Sequence, residues 1–512
     1  MTSTENKKQN KAERISNGMD FNPSAGSGLS IPKEVQETAQ KLIGAGFEAF
    51  LVGGCVRDLI MKCEPKDWDI TTSAEPEKIQ EIFPESVYEN DFGTVGVKTG
   101  SDDETLKIVE VTTFRLEGKY TDKRHPDEIK FAEKIEDDLD RRDFAMNAIA
   151  LDLDAKDKKL VDPHGGLNDI SKKVISTVGD PSTRFEEDAL RLMRAVRFAA
   201  QLGFEIEHET ARAIRENAGL LEMIAKERVR DELTKIIMAR RAAEGIILLE
   251  DLGLLRYVIP ELREGIAIGQ NKHHIYTVFD HNVRALNYTA EKGYSLEVRL
   301  AALLHDIGKP KSKRGEGVDS TFYNHEVIGA RMTAKIMDSL RFSKEIIEKV
   351  VHLVRCHLFY YNVGEVTEAG VRRFISRVGI ESIDDLIKIR QADRIGSGVP
   401  KAKPYKLRHL LFMIDKVRHD PVHPKMLAMD GNELMKLLGI KPGPRVGKIL
   451  MILLEDILDD PAKNTKEYLS ERASELGKFS DKELEKMADE ARTKKDEANS
   501  AVEEEMKKKY YV

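Results

Sequence analysis

A chain of 512 residues is too long for one hydrophobic core, so roughly three or four domains are expected. Charged residues make up 33% and hydrophobic ones 41%, mean hydropathy is −0.43, and no stretch has the long uncharged apolar run of a membrane span, which excludes a helical membrane protein and points to the cytoplasm. Cys55, Cys63 and Cys356 form no C-x-x-C pair, which argues against zinc ribbons and disulfide scaffolds, and a net charge of −7 means that any nucleic-acid surface must be a local basic patch.

Residues 1 to about 30 are polar, lack the apolar core of a secretory signal, and are expected to be disordered. From about 31 to 175, helical segments mix with short strands at Phe47–Val52, Thr94–Lys98, Leu106–Thr112 and Ile149–Leu153, which predicts an α/β domain. The first strand runs into Gly53-Gly54 and a helix starting near Val56. Glycines at such a corner let backbone N–H groups approach an anion, and Arg57 adds a cation one turn on. Asp67-Trp68-Asp69 follows at strand spacing, so both carboxylates are expected on one face of one strand. Two hard oxygen ligands side by side suit Mg²⁺ and phosphoryl chemistry, whereas an isolated pair would read as a solvated turn. Glu110, in Ile108-Val109-Glu110-Val111-Thr112, is expected on a buried strand, where an acid is costly unless paired or ligated. It would complete a three-carboxylate metal site; a buried ion pair is the other reading.

In Asp140-Arg141-Arg142-Asp143-Phe144, the adjacent arginines can clamp a triphosphate or ribose, or form a surface salt-bridge cluster. Asp162-Pro163-His164-Gly165-Gly166 is a turn by its residues alone. Beyond Asp180 strands are expected to give way to helices, among them Ala189–Leu202 and Arg228–Met238. In Glu187-Asp188-Ala189-Leu190-Arg191, Asp188 and Arg191 stand at i,i+3, with Arg194 and Arg197 continuing the spacing. Such a pair can hold itself rigid and read the Watson–Crick edge of a base, or be an ordinary surface salt bridge. Between about 276 and 400 come His281, His305-Asp306 at the end of an apolar helical stretch, and Asp393, a set that suits a metal at a bundle centre. His325, His352 and His357 are further candidate ligands. The charge-dense residues from about 465 onward are expected to be a solvated helix or a frayed terminus.

Taken in order, Gly53-Gly54-Cys55-Val56-Arg57-Asp58, Asp67-Trp68-Asp69, Arg141-Arg142-Asp143, Asp162-x-x-Gly165-Gly166 and Glu187-Asp188-x-x-Arg191 resemble the motifs of bacterial class II CCA-adding enzymes, tRNA nucleotidyltransferases of the polymerase-β superfamily. The resemblance covers about 31 to 240. It implies an α+β polymerase-β-like nucleotidyltransferase head followed by an all-α neck, HD-domain helices and a tail. The expected boundaries are 1–30 extension, 31–175 head, 176–275 neck and RNA-binding region, 276–400 HD domain and 401–512 tail. It implies further that Asp67 and Asp69 bind catalytic Mg²⁺ and that Gly54, Arg57 and Arg142 contact the nucleotide. Asp188 and Arg191 would pair with incoming CTP or ATP, with Arg194 and Arg197 nearby, on a tRNA substrate.

The family also contains poly(A) polymerases, which carry an arginine-rich stretch soon after the metal aspartates. The corresponding Glu89-Asn90-Asp91-Phe92-Gly93-Thr94 is acidic and looks like the tRNA branch. Enzymes that add only C lack a flexible segment before Arg-Arg-Asp; here Phe114 through Pro126 is present, which favours full CCA addition or A addition. His281, His305-Asp306 and Asp393 resemble the H…HD…D signature of the HD metal-dependent phosphohydrolases. Two readings of that site stand: a hydrolase of 2′,3′-cyclic or terminal phosphates using Ni²⁺, Mn²⁺ or Mg²⁺, or a structural staple. Poly(A) synthesis, and a non-catalytic RNA-binding protein whose only activity is the HD site, are the rival functions.

Overall fold

Ala49-Phe50-Leu51-Val52 are four consecutive buried residues, as a strand covered on both faces requires, and they form β1 in the interior of the first sheet. The computed structural model describes residues 30–90, 93–117, 129–154, 159–270, 275–399 and 401–491, in two units, Met1–Ile259 and Pro260–Val512.

In the first unit β1 is flanked by β2 (Asp69–Thr72), β3 (Ser86–Asn90), β4 (Thr94–Lys98), β5 (Ile108–Thr113), β6 (Arg115–Glu117), β7 (Ile129–Phe131), β8 (Ala150–Asp152) and β9 (Leu160–Val161). Seven of these form one sheet in the order β3-β4-β5-β2-β1-β8-β9, while β6 and β7 pair separately. The β2–β5 pair is parallel and the other pairs of the sheet are antiparallel. Phe50, Val52, Phe114, Ile135, Leu139, Ala148 and Ala150 form a core under this sheet, with the Phe50 and Phe114 rings 6.0 Å apart. The four expected strands are present with ends shifted by one or two residues. The helix after the glycine pair is Gly54–Ile60, starting at the glycine itself and not at Val56.

Helices dominate beyond Asp180, including Leu190–Leu202 and Lys226–Met238. One strand persists past that point: Glu205–Ile206 pairs in parallel with Val174–Ile175. Two residues are too few to show the alternation by which strands are read from sequence.

The regular elements described in the second unit are helices. Val278–Glu291 packs on Leu296–Leu304 and Ile380–Gly396, and His325–Ser339 on Lys344–Cys356. Lys466–Leu476 buries Leu469, Ala473 and Leu476, so this part of the charged segment is a packed helix and not a solvated one. The expectations for residues 1–29, 91–92, 118–128 and 492–512 lie outside the described residues.

Candidate active site and metal centre

Gly53 adopts φ +76, a backbone that disfavours side chains, and a Cβ there would stand 3.0 Å from Arg142 Nη1 and 3.6 Å from Asp69 Oδ2. The glycine thus leaves room for a guanidinium and a carboxylate at the end of β1. β2 begins at Asp69, and Asp67 lies in the exposed bend before it, so the two acids do not share one strand as expected. The bend replaces strand geometry because Lys66 and Asp67 are solvent-exposed and lie outside the sheet ladder. Asp69 is paired in register with Glu110 on β5, and directly paired residues share a sheet face. Glu110 is exposed, because β5 alternates and turns Val109 and Val111 inward; the expected burial of this acid is wrong. Burial raises the Asp69 carboxyl above its ordinary range, Asp67 adds to the rise, and Arg142 opposes it. Asp67 acts on Asp69 electrostatically and Glu110 is its register partner, and carboxylate oxygens suit a hard divalent cation, but the ligand atoms of these three acids do not converge within 4.8 Å of one another.

Each arginine expected at this site is tied to an internal acceptor. Arg141 and Arg142 both bond the fully buried Asp138, at 2.7 and 3.2 Å. Arg57 donates to Asp58 at 2.7 Å and to Asn147 at 2.8 Å. Arg194 meets Asp143 at 2.6 Å, and Arg197 meets Glu232 at 3.1 Å. Burial alone would push the Asp143 carboxyl up, but Arg194 and Arg191 outweigh it and hold it below the usual range. The guanidinium carbons of Arg57, Arg194 and Arg197 all lie over the Phe198 ring, at 5.5, 5.5 and 4.3 Å. Five N–H donors per arginine exceed what these acceptors use.

The expected Asp188–Arg191 pair does not form. The helix Pro181–Glu187 ends at Asp188, whose extended backbone (φ −136, ψ 104) turns its carboxylate to cap the next helix through Leu190 N at 3.0 Å. Arg228, forty residues on, grips it at 2.9 and 3.4 Å. Arg191 instead bonds Glu187 at 2.6 Å and the carbonyls of Arg184 and Arg141, each at 3.1 Å. An i,i+3 pair requires both residues in one helix, and the break falls at Asp188 itself. Asp138, Asn147, Arg228 and Glu232 were missed by sequence reasoning; only Asp138, at i−3 and i−4 from the two arginines, carried a local signal.

The Asp162 turn is a packing device. Its carboxylate accepts from Gly166 N at 2.7 Å and Leu167 N at 2.9 Å, and a Cβ on Gly166 would come 2.2 Å from Ala145 O.

In the second unit, His281 and Asp393 come from separate helices and meet His305 and Asp306 at the end of Leu296–Leu304. His281 Nε2 lies 2.9 Å from His305 Nε2, 3.1 Å from Asp306 Oδ2 and 3.5 Å from Asp393 Oδ1. The other oxygen of Asp306 faces His325 Nε2 at 3.3 Å and His357 Nε2 at 3.6 Å. Among the described residues two groups could hold a metal ion, His281/His305/Asp306 and Asp306/His325/His357, and Asp306 belongs to both. The Nδ1 atoms of His305, His325 and His357 sit 2.8, 2.8 and 2.7 Å from the carbonyls of Ala302, Phe322 and Val354. Protons placed on those Nδ1 atoms leave each Nε2 lone pair facing inward, the arrangement metal-binding histidines adopt. His352 is not part of the cluster: its Nε2 is 2.6 Å from Val378 O. Lys309 neutralises Asp306 at 2.6 Å and bonds Gln270 at 2.7 Å. Burial would raise both aspartates, yet Lys309 and the histidines hold Asp306, and His305 and Arg390 hold Asp393, well below the ordinary range. Gly308 has no room for a side chain, since a Cβ would lie 2.2 Å from His325 O.

This sheet, with Asp69 opposite Glu110 and Arg142 beside it, followed by helices and a His/Asp centre, defines a nucleotidyltransferase head joined to an HD module. The family description "Poly A polymerase head domain" matches residues 49–176, "Probable RNA and SrmB- binding site of polymerase A" 203–266, and "HD domain" 278–396. An A-adding tRNA nucleotidyltransferase of Deinococcus radiodurans is 34% identical over 420 residues, 80% of this chain and 91% of the relative. A CCA-adding enzyme of Geobacillus is 32% identical over 85% of this chain and 97% of its own length. The solved Bacillus stearothermophilus CCA-adding enzyme in complex with CTP superimposes with TM-score 0.64 and 27% identity, over 86% of this chain and 96% of that one. The chain belongs to the family of CCA-adding enzymes and related tRNA nucleotidyltransferases. No described helix is long and apolar enough to cross a membrane.

Proposed function

We propose that the protein adds C and A nucleotides to the 3′ end of tRNA from CTP and ATP, without a template. The observation that carries this reading is the Gly53 corner, which brings Asp69 and Arg142 together beside Glu110 and Asp67 in a chain of this family. In the reaction the tRNA 3′-oxygen bonds to the α-phosphorus, the bond to the bridging oxygen breaks so that pyrophosphate leaves with its electron pair, and the hydroxyl proton passes to solvent. Asp67, Asp69 and Glu110 would hold Mg²⁺, which supplies Lewis acidity to the attacking hydroxyl and charge neutralisation to the leaving group. Gly54 leaves the corner open, with Arg57 3.7 Å from where its Cβ would stand. Arg57 and Arg142 then meet the triphosphate or ribose, kept in place by Asn147 and Asp138. Asp188 and Arg191 offer an acceptor and a donor to the base edge, each held by its own partner, Arg228 and Glu187. Arg194 and Arg197 add positive charge beside them.

The HD centre is proposed as a phosphohydrolase of 2′,3′-cyclic or terminal phosphates, in which Asp306, common to both candidate groups, would help to hold divalent ions. His281, His305 and Asp393 would serve one and His325 and His357 the other, giving the Lewis acidity that phosphoester hydrolysis needs.

Incubating tRNA that lacks its 3′ end with each labelled NTP, singly and in pairs, tests the first activity; incorporation of CTP and ATP alone is expected. Incorporation of ATP only places the protein with A-adding enzymes, and long A tails place it with poly(A) polymerases. For the second, 2′,3′-cyclic AMP is offered with Ni²⁺, Mn²⁺ and Mg²⁺. No turnover with any ion, together with a chelator-induced drop in melting temperature, leaves the centre as a staple.

A further inference from the structure

The helix Tyr405–Val417 turns Leu407, Leu410, Ile414 and Val417 inward, which uses its apolar face. Its opposite face still carries two aromatic rings. Tyr405 is 62% exposed and Phe412 61%, more than any other described aromatic side chain. They stand two turns apart, about 10.5 Å along the axis. His409 lies between them, its ring centroid 6.1 Å from each, and a hydrogen bond between its Nδ1 and the Tyr361 hydroxyl secures it. An aromatic ring left in water at both ends of such a row gains nothing for the fold.

The charge around the row names its occupant. In a protein of net charge −7, residues 394–414 contain Arg394, Lys401, Lys403, Lys406 and Arg408 and no acid. Lys401, Lys403 and Arg408 form no ion pair among the described residues, and Arg408 shares the exposed face with Tyr405 and Phe412. Lys406 bonds the buried Asn362, pinning the start of the helix to the chain beneath it. Exposed rings with unpaired cations beside them form the arrangement that takes unpaired nucleic-acid bases: the rings stack on base faces and the cations meet the phosphates. An apolar protein partner would not select a patch that carries three unpaired positive charges, Lys401, Lys403 and Arg408.

We propose that the Tyr405–His409–Phe412 face is a stacking platform for unpaired bases of the RNA substrate, with Lys401, Lys403 and Arg408 on its backbone. The proposal rests on the reading of the protein as a tRNA-modifying enzyme and adds a place for that RNA beyond the head and the 203–266 region.

The test uses the full chain with three probes: tRNA transcript lacking its 3′ end, a 12-nucleotide oligouridylate, and a blunt RNA duplex. Tyr405→Ala and Phe412→Ala should each weaken oligouridylate binding about five- to 150-fold, the 1–3 kcal/mol of one base stack converted at 1.4 kcal/mol per tenfold. Tyr405→Phe should restore it, and duplex binding should not change. Lys403→Gln with Arg408→Gln should reduce the slope of log affinity against log salt by about 1.4, two single-strand phosphates at about 0.7 each, whereas the ring variants leave the slope alone. With tRNA, the ring variants should raise KM for RNA and keep kcat at saturation. Unchanged oligouridylate and tRNA affinity in the double ring variant, with nucleotide addition intact, overturns the proposal. So does a wild-type dimer that Phe412→Ala dissociates without loss of RNA affinity, since the face would then pair copies of the chain. A wild type that adds no nucleotide to any RNA instead overturns the reading on which the proposal rests.

Discussion

Removing the guanidinium of Arg228 tests whether Asp188 is held to read a base. Arg228 reaches both oxygens of Asp188, at 2.9 and 3.4 Å, with side-chain exposures of 25% and 17%. A charge-assisted hydrogen bond of this kind contributes about 1.5–3 kcal/mol, and partial solvation places this one near the lower bound. In Arg228→Ala the carboxylate keeps only the Leu190 amide and gains rotational freedom. If its orientation selects the nucleotide, relative kcat/KM for CTP and ATP over UTP and GTP should fall about five- to tenfold, an effect of about 1–1.5 kcal/mol. The melting midpoint should drop by about 2–4 °C per kcal/mol of stability lost. Asp188→Ala should blur selection as much or more, and the double variant should show little added loss, since both act through one contact. Kinetics with the four nucleotides at fixed RNA, alongside thermal melting, provide the readout. A lower melting point with selectivity unchanged in both single variants would show that the pair only joins two helices, and would refute the reasoning.

Asp67→Ala and Asp69→Ala should each reduce incorporation at least about a thousandfold with the fold intact by circular dichroism, and retention of more than a tenth of the rate contradicts the metal assignment. Arg142 holds the Asp69 carboxyl down against burial, so Arg142→Gln should move the acid limb of the pH–kcat/KM profile to higher pH; no shift, or a downward one, disproves that coupling. His305→Ala should abolish divalent-ion-dependent cleavage of 2′,3′-cyclic AMP and leave nucleotide addition in place, whereas loss of tRNA binding with earlier melting favours a staple. Gly308→Ala forces a Cβ against His325 O, so metal content by mass spectrometry should fall with hydrolysis; full metal content would show that the helix can shift to accept it.

The residues that announced themselves in the sequence are those whose chemistry is local. Gly53 is demanded by one backbone torsion and two close neighbours, and His305-Asp306 by adjacency, so both could be recognised without the fold. Periodicity also gave four of the head strands and the later helices to within a residue or two, and missed the short strands such as β6, β7 and β9. What misled was parity carried across breaks. Asp67 and Asp69 look like one strand face until the bend before β2 is seen, and Asp188 and Arg191 look like one helix turn until Asp188 itself proves to be extended. Glu110 was read as buried from its apolar neighbours, although alternation along β5 turns it outward. Arg228 and Glu232 could not be read at all, because contacts across forty and thirty-five residues depend on how helices pack, and no local pattern records that.

The central claim is tested most directly by sequencing the 3′ ends of tRNA transcripts that lack their last three nucleotides, after incubation with the protein, Mg²⁺, CTP and ATP. The account predicts ends extended by C, C and A, in that order and no further, and unextended ends with Asp69→Ala. Ends left unextended by the wild-type protein, or extended by the same nucleotides in the Asp69→Ala variant, would contradict it.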